Sequence, residues 1–311
     1  FRSENKLKSD YIKFFSELSE RISSSNHYEE WFDIYKQIVE WEIKLDSNED
    51  NQIYEMLLSQ KKDANKKFSK FIIDNYSSWN SKNSNKPLMS NDVLKRKVFP
   101  KIEGKKTFFI VLDNFRYDQW KILEKKLSRN FFIANEDQFL SILPTTTEYS
   151  RNSIFSGLTP FEMEKYEYEL WSDKLNGSNN NEYLFLDKNF KRNRIEIKHS
   201  YNKIISYEDG IKFLKNISKL DEYSFSSVVF NFIDMLSHSK TESSIIKNLV
   251  YDEKSFRSFT SSWFKNSSFN DFMKYLSKKD VQIFITTDHG TTIVNDPVII
   301  KTSKEINDNL R

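Results

Sequence analysis

Residues 107–127 read TFFIVLDNFRYDQWKILEKKL. An unbroken apolar run from Thr107 stops on Asp113, and a helical stretch, YDQWKILEKKL, follows. A strand with one face in water alternates apolar and polar residues, so a continuous run predicts a strand of a parallel sheet covered on both sides. Working outward, further strands are expected at FFIAN (131–135), LSILP (140–144), RIEIKH (194–199), SVVFNFID (227–234) and VQIFITTD (281–288). Helix starts lie between them. Thr159-Pro160-x-Glu162 is a capping box with proline at the first helical position, and Ser206-x-x-Asp209 is a weaker start. Alternating strands and helices predict an α/β sandwich with a mostly parallel sheet.

The N-terminal third differs. The first proline is Pro87 and the first glycine Gly104, so neither breaker interrupts it. Three stripes fall at helical spacing: Tyr11, Phe14, Phe15, Leu18, Ile22; then Trp31, Tyr35, Ile38, Glu42; then Ile53, Leu57, Gln60, Ala64, Phe68, Phe71, Ile72. Polar turns SSSN and DSNED separate them, which predicts an antiparallel three-helix bundle over 1–80. The Ser/Asn/Lys-rich stretch beyond it predicts a linker over 81–104. The α/β domain then occupies 105–311, with NGSNNNEY (176–183) as an exposed loop.

Composition narrows the chemistry. Forty-eight basic and 45 acidic side chains leave a net charge of +3, too little for nucleic-acid binding by bulk electrostatics. No cysteine is present, which removes disulfides, thiolate metal sites and cysteine nucleophiles. No apolar run reaches the ~20 residues of a membrane span, and FRSENKLKSDYIKFF lacks the marks of a signal peptide. A cytoplasmic protein without membrane insertion is the expectation.

Three expected strands end in an aspartate: Asp113, Asp234 and Asp288. Ligands of open parallel sheets bind at the carboxyl ends of strands, and carboxylates gathered there repel one another unless a cation compensates. Asp234 and His238 are four apart and share one side of a helical turn. Asp288 and His289 are adjacent where a strand stops, and Gly290 is expected to permit a sharp exit. Oxygen and imidazole donors without sulfur suit Zn²⁺, Mn²⁺ or iron, and two such ions can clamp a phosphoryl displacement. A nucleophile is offered by SILPTTTEYSRNSIFSGLTP (141–160). There Thr145-x-x-Glu148 predicts a helix start that sets Thr146 and Thr147 where free N–H groups attract phosphate. Arg116 and Arg151 are candidate phosphate contacts, with Asn114 beside them.

In this order, the Asp, the Thr at a helix start, Asp-x-x-x-His and Asp-His-Gly resemble the alkaline phosphatase superfamily. PTTTEYSRNSIFSGLTP is similar to the P-T-x-T…[ST]-G-x-x-P stretch of its phosphodiesterase branch. VLDNFRYDQW, ILPTTTEYSRNSIFSGLTP, NFIDMLSHSKTE and TTDHGT are closer still to the PglZ domain of PorX-type response regulators. The resemblance implies an alkaline-phosphatase-like α/β/α sandwich behind a helical bundle. It implies Thr147 as nucleophile, one Zn²⁺ held by Asp113, Thr147, Asp288 and His289, and a second by Asp234 and His238. The family completes the second site with a histidine nearer the C-terminus, and none follows His289 here. That gap, and the lack of a receiver domain ahead of the helices, lead us to expect a fragment.

The expected function is metal-dependent hydrolysis of cyclic or linear oligonucleotide phosphodiesters by the output domain of a regulator tied to type IX secretion. Partners implied are the nucleotide substrate, a homodimer mate, and a sigma factor or secretion-machinery protein. The alternative expectation is a non-catalytic, metal-stabilised signalling or dimerisation module. Sulfatase chemistry, which needs a modified cysteine or serine, does not fit Thr147.

Overall fold

The computed structural model describes residues 2–46, 51–79, 86–171 and 181–292. They form two compact units divided between Pro87 and Leu88. In the first unit the three stripes become α1 (Arg2–Ser24), α2 (Tyr28–Leu45) and α3 (Asn51–Trp79). Tyr11, Leu18, Trp31, Ile34, Ile38, Leu57 and Ala64 are buried together. The two polar members of the stripes are satisfied inside this core. Glu42 accepts from Lys61 Nζ at 2.6 Å, and Gln60 donates to Phe15 O at 2.8 Å and to Ser19 Oγ at 2.9 Å. The polar turn expected at 46–50 lies, except for Asp46, outside the described residues.

In the second unit β1 (Thr107–Leu112), β2 (His199–Ile204), β3 (Phe225–Phe230) and β4 (Gln282–Thr286) form one sheet in the order β2-β3-β1-β4. All pairings are parallel, with Thr107 opposite both Phe225 and Gln282. The helices are α4 (Tyr117–Leu127), α5 (Thr147–Ser156), α6 (Pro160–Tyr166), α7 (Tyr168–Trp171) and α8 (Glu182–Arg192). They continue with α9 (Tyr207–Lys215), α10 (Phe232–Glu242), α11 (Ser244–Leu249), α12 (Glu253–Lys265) and α13 (Ser268–Leu276).

The unbroken apolar run of β1 is explained by what covers it. Side chains alternate across a strand. Phe108, Ile110 and Leu112 enter a core with Leu123 of α4, Phe256 of α12 and Phe272 of α13. Phe109 and Val111 enter a second core with Ile154 and Phe155 of α5 and Phe185 of α8. The result is the expected α/β/α sandwich with a parallel sheet. The caps at Thr159 and Ser206 form as read, each side-chain oxygen accepting from the N–H three residues on.

Several expectations are corrected. FFIAN makes no strand: Phe132 is 92% exposed, so no second face of the run is buried. LSILP contributes a single bridge from Leu140 to Met89. RIEIKH lies mostly before its strand, because β2 begins at His199. As an edge strand β2 tolerates the polar residues of HSYNKI, which a search for apolar runs passes over. SVVFNFID ends its strand at Phe230, and Phe232 to Asp234 open α10. The expected linker 81–104 is also corrected over its later part. Residues 90–101 are short helical turns whose Val93, Leu94, Val98 and Phe99 are buried in the second core. Residues 80–85, most of the expected loop at 176–183, and the chain beyond 292 lie outside the described residues.

Candidate metal centre

The site forms where β1 and β4 end beside the N-terminus of α5. Asp113, the residue after β1, is fully buried, and its N–H donates to Phe230 O at 2.9 Å. Asn114 follows in the left-handed region (φ 58°), which an asparagine tolerates better than most residues. That turn aims its N–H at Asp288 Oδ1 (3.1 Å) and its amide Nδ2 at Asp234 Oδ1 (3.2 Å). Asn114 thereby ties together the acid that follows β4 and the acid on α10. Gly290 does not take a positive φ, correcting the reading that the exit needs one there; a Cβ added at Gly290 would stand 3.3 Å from Arg116 Cγ, so what the glycine supplies is room.

Asp288 is fixed by its surroundings. Its Oδ1 also accepts from His289 N at 2.9 Å, and its carbonyl accepts from Ser141 Oγ and Ser150 Oγ, both at 2.8 Å. The remaining oxygens, Asp113 Oδ1 and Asp288 Oδ2, are buried without a hydrogen-bond partner. Both lie near His289 Nε2, at 3.6 Å and 3.8 Å. The same nitrogen is 2.9 Å from Thr147 Oγ1. His289 Nδ1 faces Gly290 O at 3.4 Å, and a proton placed there leaves the Nε2 lone pair directed at the acids and the hydroxyl.

These residues fit a divalent cation. Donor atoms of Asp113, Asp288 and His289 all lie within 4.8 Å of one another. Two buried carboxylate oxygens without donors are costly unless a cation or proton joins them. In the metal-free protein the proton is the remedy: burial, then the Asp288 charge, raises the Asp113 pKa to about 6, against an opposing pull from Arg151. The sign follows from proton counting. Between 3.8 and about 6 the folded state holds a proton that the unfolded state has lost, so this group removes stability as pH rises through that window. Metal-free Asp113→Asn should therefore gain stability relative to wild type above pH 6, with the gain vanishing near pH 4. Urea unfolding at both pH values checks this, and a gain independent of pH would contradict it.

Asp234 and His238 stand four apart on α10 as expected, with Asp234 Oδ2 3.4 Å from His238 Nε2. Burial and the neighbouring Asp113 charge raise the Asp234 pKa. His199 packs on Phe190 and Tyr183 and faces Asp187 at 3.8 Å, in a structural setting.

The arginines are corrected as phosphate contacts. Arg116 is buried over the Phe256 ring and paired with Asp118 and Glu253. Arg151 is 1% exposed; it pairs with Asp113 and Glu182 and lies 3.6 Å from Asp288 Oδ2. Asn114, 2% exposed, is a link within the site. The helix start shifts by one: Thr146 is the cap residue and Thr147 the first helical position, with no capping box from Thr145. The N–H groups of Thr147 and Glu148 make no hydrogen bond to described residues. Glu182, Tyr201, Lys203, Ser141 and Ser150 escaped the sequence reading. Of these only Ser150 carried a signal, lying three residues after Thr147 on one helical face.

Two family models match the chain. Residues 2–80 match the PorX response regulator linker domain, and residues 93–309 match the BREX system PglZ alkaline phosphatase-like domain. No curated protein matches it. Since the second match spans well over half of the 311 residues, the chain belongs to the PglZ alkaline phosphatase-like family.

Proposed function

We propose that this chain is a metal-dependent phosphoric diester hydrolase that uses Thr147 as nucleophile and acts as the output module of a response regulator. One observation carries the reading: the Thr147 hydroxyl and two unpaired buried carboxylate oxygens converge on the same imidazole nitrogen. Asp113, Asp288 and His289 would hold a Zn²⁺ ion, with Thr147 joining them; Asp234 and His238 are the residues offered to a second. When bound, such an ion supplies positive charge that favours the threonine alkoxide and offsets charge gathering on the phosphoryl group. Thr147 loses its hydroxyl proton to solvent, its Oγ1 bonds phosphorus in line as the bond to the ester oxygen breaks, and the departing alkoxide takes up a proton from water; a second water then cleaves the phosphothreonine and restores the hydroxyl. The free N–H groups of Thr147 and Glu148, at the positive end of α5, receive the phosphate oxygens. Both arginines being engaged elsewhere, these amides take the part that the sequence suggested for Arg116 and Arg151.

The substrate class is a linear or cyclic oligonucleotide, and the setting two-component control linked to type IX secretion, in the cytoplasm. A homodimer mate and a sigma factor or secretion protein are the proposed partners. Support for the setting is the PorX linker match over α1–α3. The test is turnover of bis-p-nitrophenyl phosphate by the full chain with zinc and with a chelator. Turnover that requires zinc, and that falls in Asp288→Asn, supports the hydrolase. Tight zinc binding with no turnover of this ester or of a dinucleotide would favour the non-catalytic module instead.

A further inference from the structure

The buried neighbourhood of Arg151 goes beyond what the ligand set requires. Arg151 projects from α5 one turn after Thr147, and its Nη1 holds Asp113 Oδ2, the oxygen on the far side of that carboxylate from His289. Its Nε is held by Glu182 Oε1. Glu182 is itself fully buried at the start of α8, and its other oxygen accepts from Tyr201 OH and lies 3.5 Å from Lys203 Nζ, both on β2. The chain of contacts therefore runs from the edge strand, through α8 and α5, to a carboxylate of the metal centre.

We infer that Glu182 is a positioning residue for the metal centre: by holding Arg151 on one side of Asp113, it keeps Asp113 Oδ1 directed at the cation and keeps the site negative enough to bind it. The inference rests on the hydrolase reading only for the existence of that cation. Two physical effects support it. The first is geometric. A guanidinium is a rigid planar fork, so fixing its Nε fixes the direction of its Nη1, and with it the rotation of the Asp113 carboxylate. The second is charge. Asp113, Asp234, Asp288 and Glu182 carry four formal negative charges against two positive ones on Arg151 and Lys203, leaving two in excess. Without Glu182 that excess is halved, and Arg151 is left with only Asp113 and Asp288 to neutralise it, in direct competition with the cation. Buried groups of low local dielectric feel such changes strongly.

The test measures zinc affinity by competition with a chromophoric chelator, using the full chain at one pH. Glu182→Gln keeps the shape and removes the charge. It should bind zinc about 10–100-fold more weakly, the range typical when a partner of a metal ligand is lost. Thermal unfolding of the metal-free variant distinguishes loss of fold from loss of affinity. Should Glu182→Gln fail to fold, Tyr201→Phe removes one hydrogen bond from Glu182 and should weaken zinc binding several-fold. A folded Glu182→Gln or Tyr201→Phe protein with wild-type zinc affinity overturns the inference while leaving the hydrolase reading intact. A wild-type chain that binds no zinc overturns both.

Discussion

Thr147→Val should lower zinc-dependent phosphodiester turnover by about 10³-fold or more, the scale seen when a nucleophile is removed from an intact site. Valine is nearly isosteric with threonine, so the first turn of α5 and its free N–H groups remain. What disappears is the oxygen 2.9 Å from His289 Nε2. Zinc affinity should fall far less than turnover, because Asp113, Asp288 and His289 remain. Thr147→Ser should retain measurable turnover, since the hydroxyl survives on a less constrained side chain. The neighbouring Thr146 is the control: its Oγ1 is buried and makes no hydrogen bond, and it caps α5 without a side-chain contact. Thr146→Val should keep turnover within a few-fold of wild type. If Thr146→Val rather than Thr147→Val abolishes turnover, the nucleophile has been misassigned; if neither does, the covalent route is wrong.

Phe108→Ala should destabilise the second unit by about 3–5 kcal/mol, the usual cost of truncating a fully buried aromatic. Phe108 is 0% exposed on a central strand, and its ring meets Phe272 edge-on at 5.8 Å. Phe272 meets Phe213 in the same manner at 5.0 Å, so the truncation opens a void in a connected aromatic cluster rather than at a rim. The residues around it sit on a strand and on helices held by other contacts and cannot collapse into the gap. Ile73→Ala, at a position 77% exposed on α3, should change stability by less than about 0.5 kcal/mol. Urea denaturation of both variants provides the comparison. An equal effect at the two positions would mean that the core face of β1 has been misidentified.

Much of the layout was legible because short-range rules govern it. The run TFFIVL shows by its lack of alternation that both faces are covered, and the two cores found on either side of β1 are its cause. Asp113, the Asp234–His238 pair and Asp288-His289 could be picked out because each sits at a strand end or on a helical turn. The edge strand was harder. HSYNKI is half exposed and polar, and its pairing with β3 is a matter of space rather than composition. The arginines misled for a related reason: a guanidinium beside a motif looks the same in sequence whether it meets solvent or a buried acid. Arg116 meets Asp118, two residues on, and also Glu253 and the Phe256 ring, both far along the chain.

By itself the sequence determined the helical N-terminal region, the parallel α/β domain, and which acids, imidazoles and threonines are available for chemistry, since periodicity, caps and residue type are local properties. Only the tertiary structure decided that Asp113 and Asp288 share a guanidinium as well as a histidine, that Asn114 links them to Asp234, and that Glu182 stands behind Arg151. The Arg151 and Asn114 contacts join residues from 31 to 174 positions apart, and the packing of α5 and α8 on the sheet is what brings their charges into range.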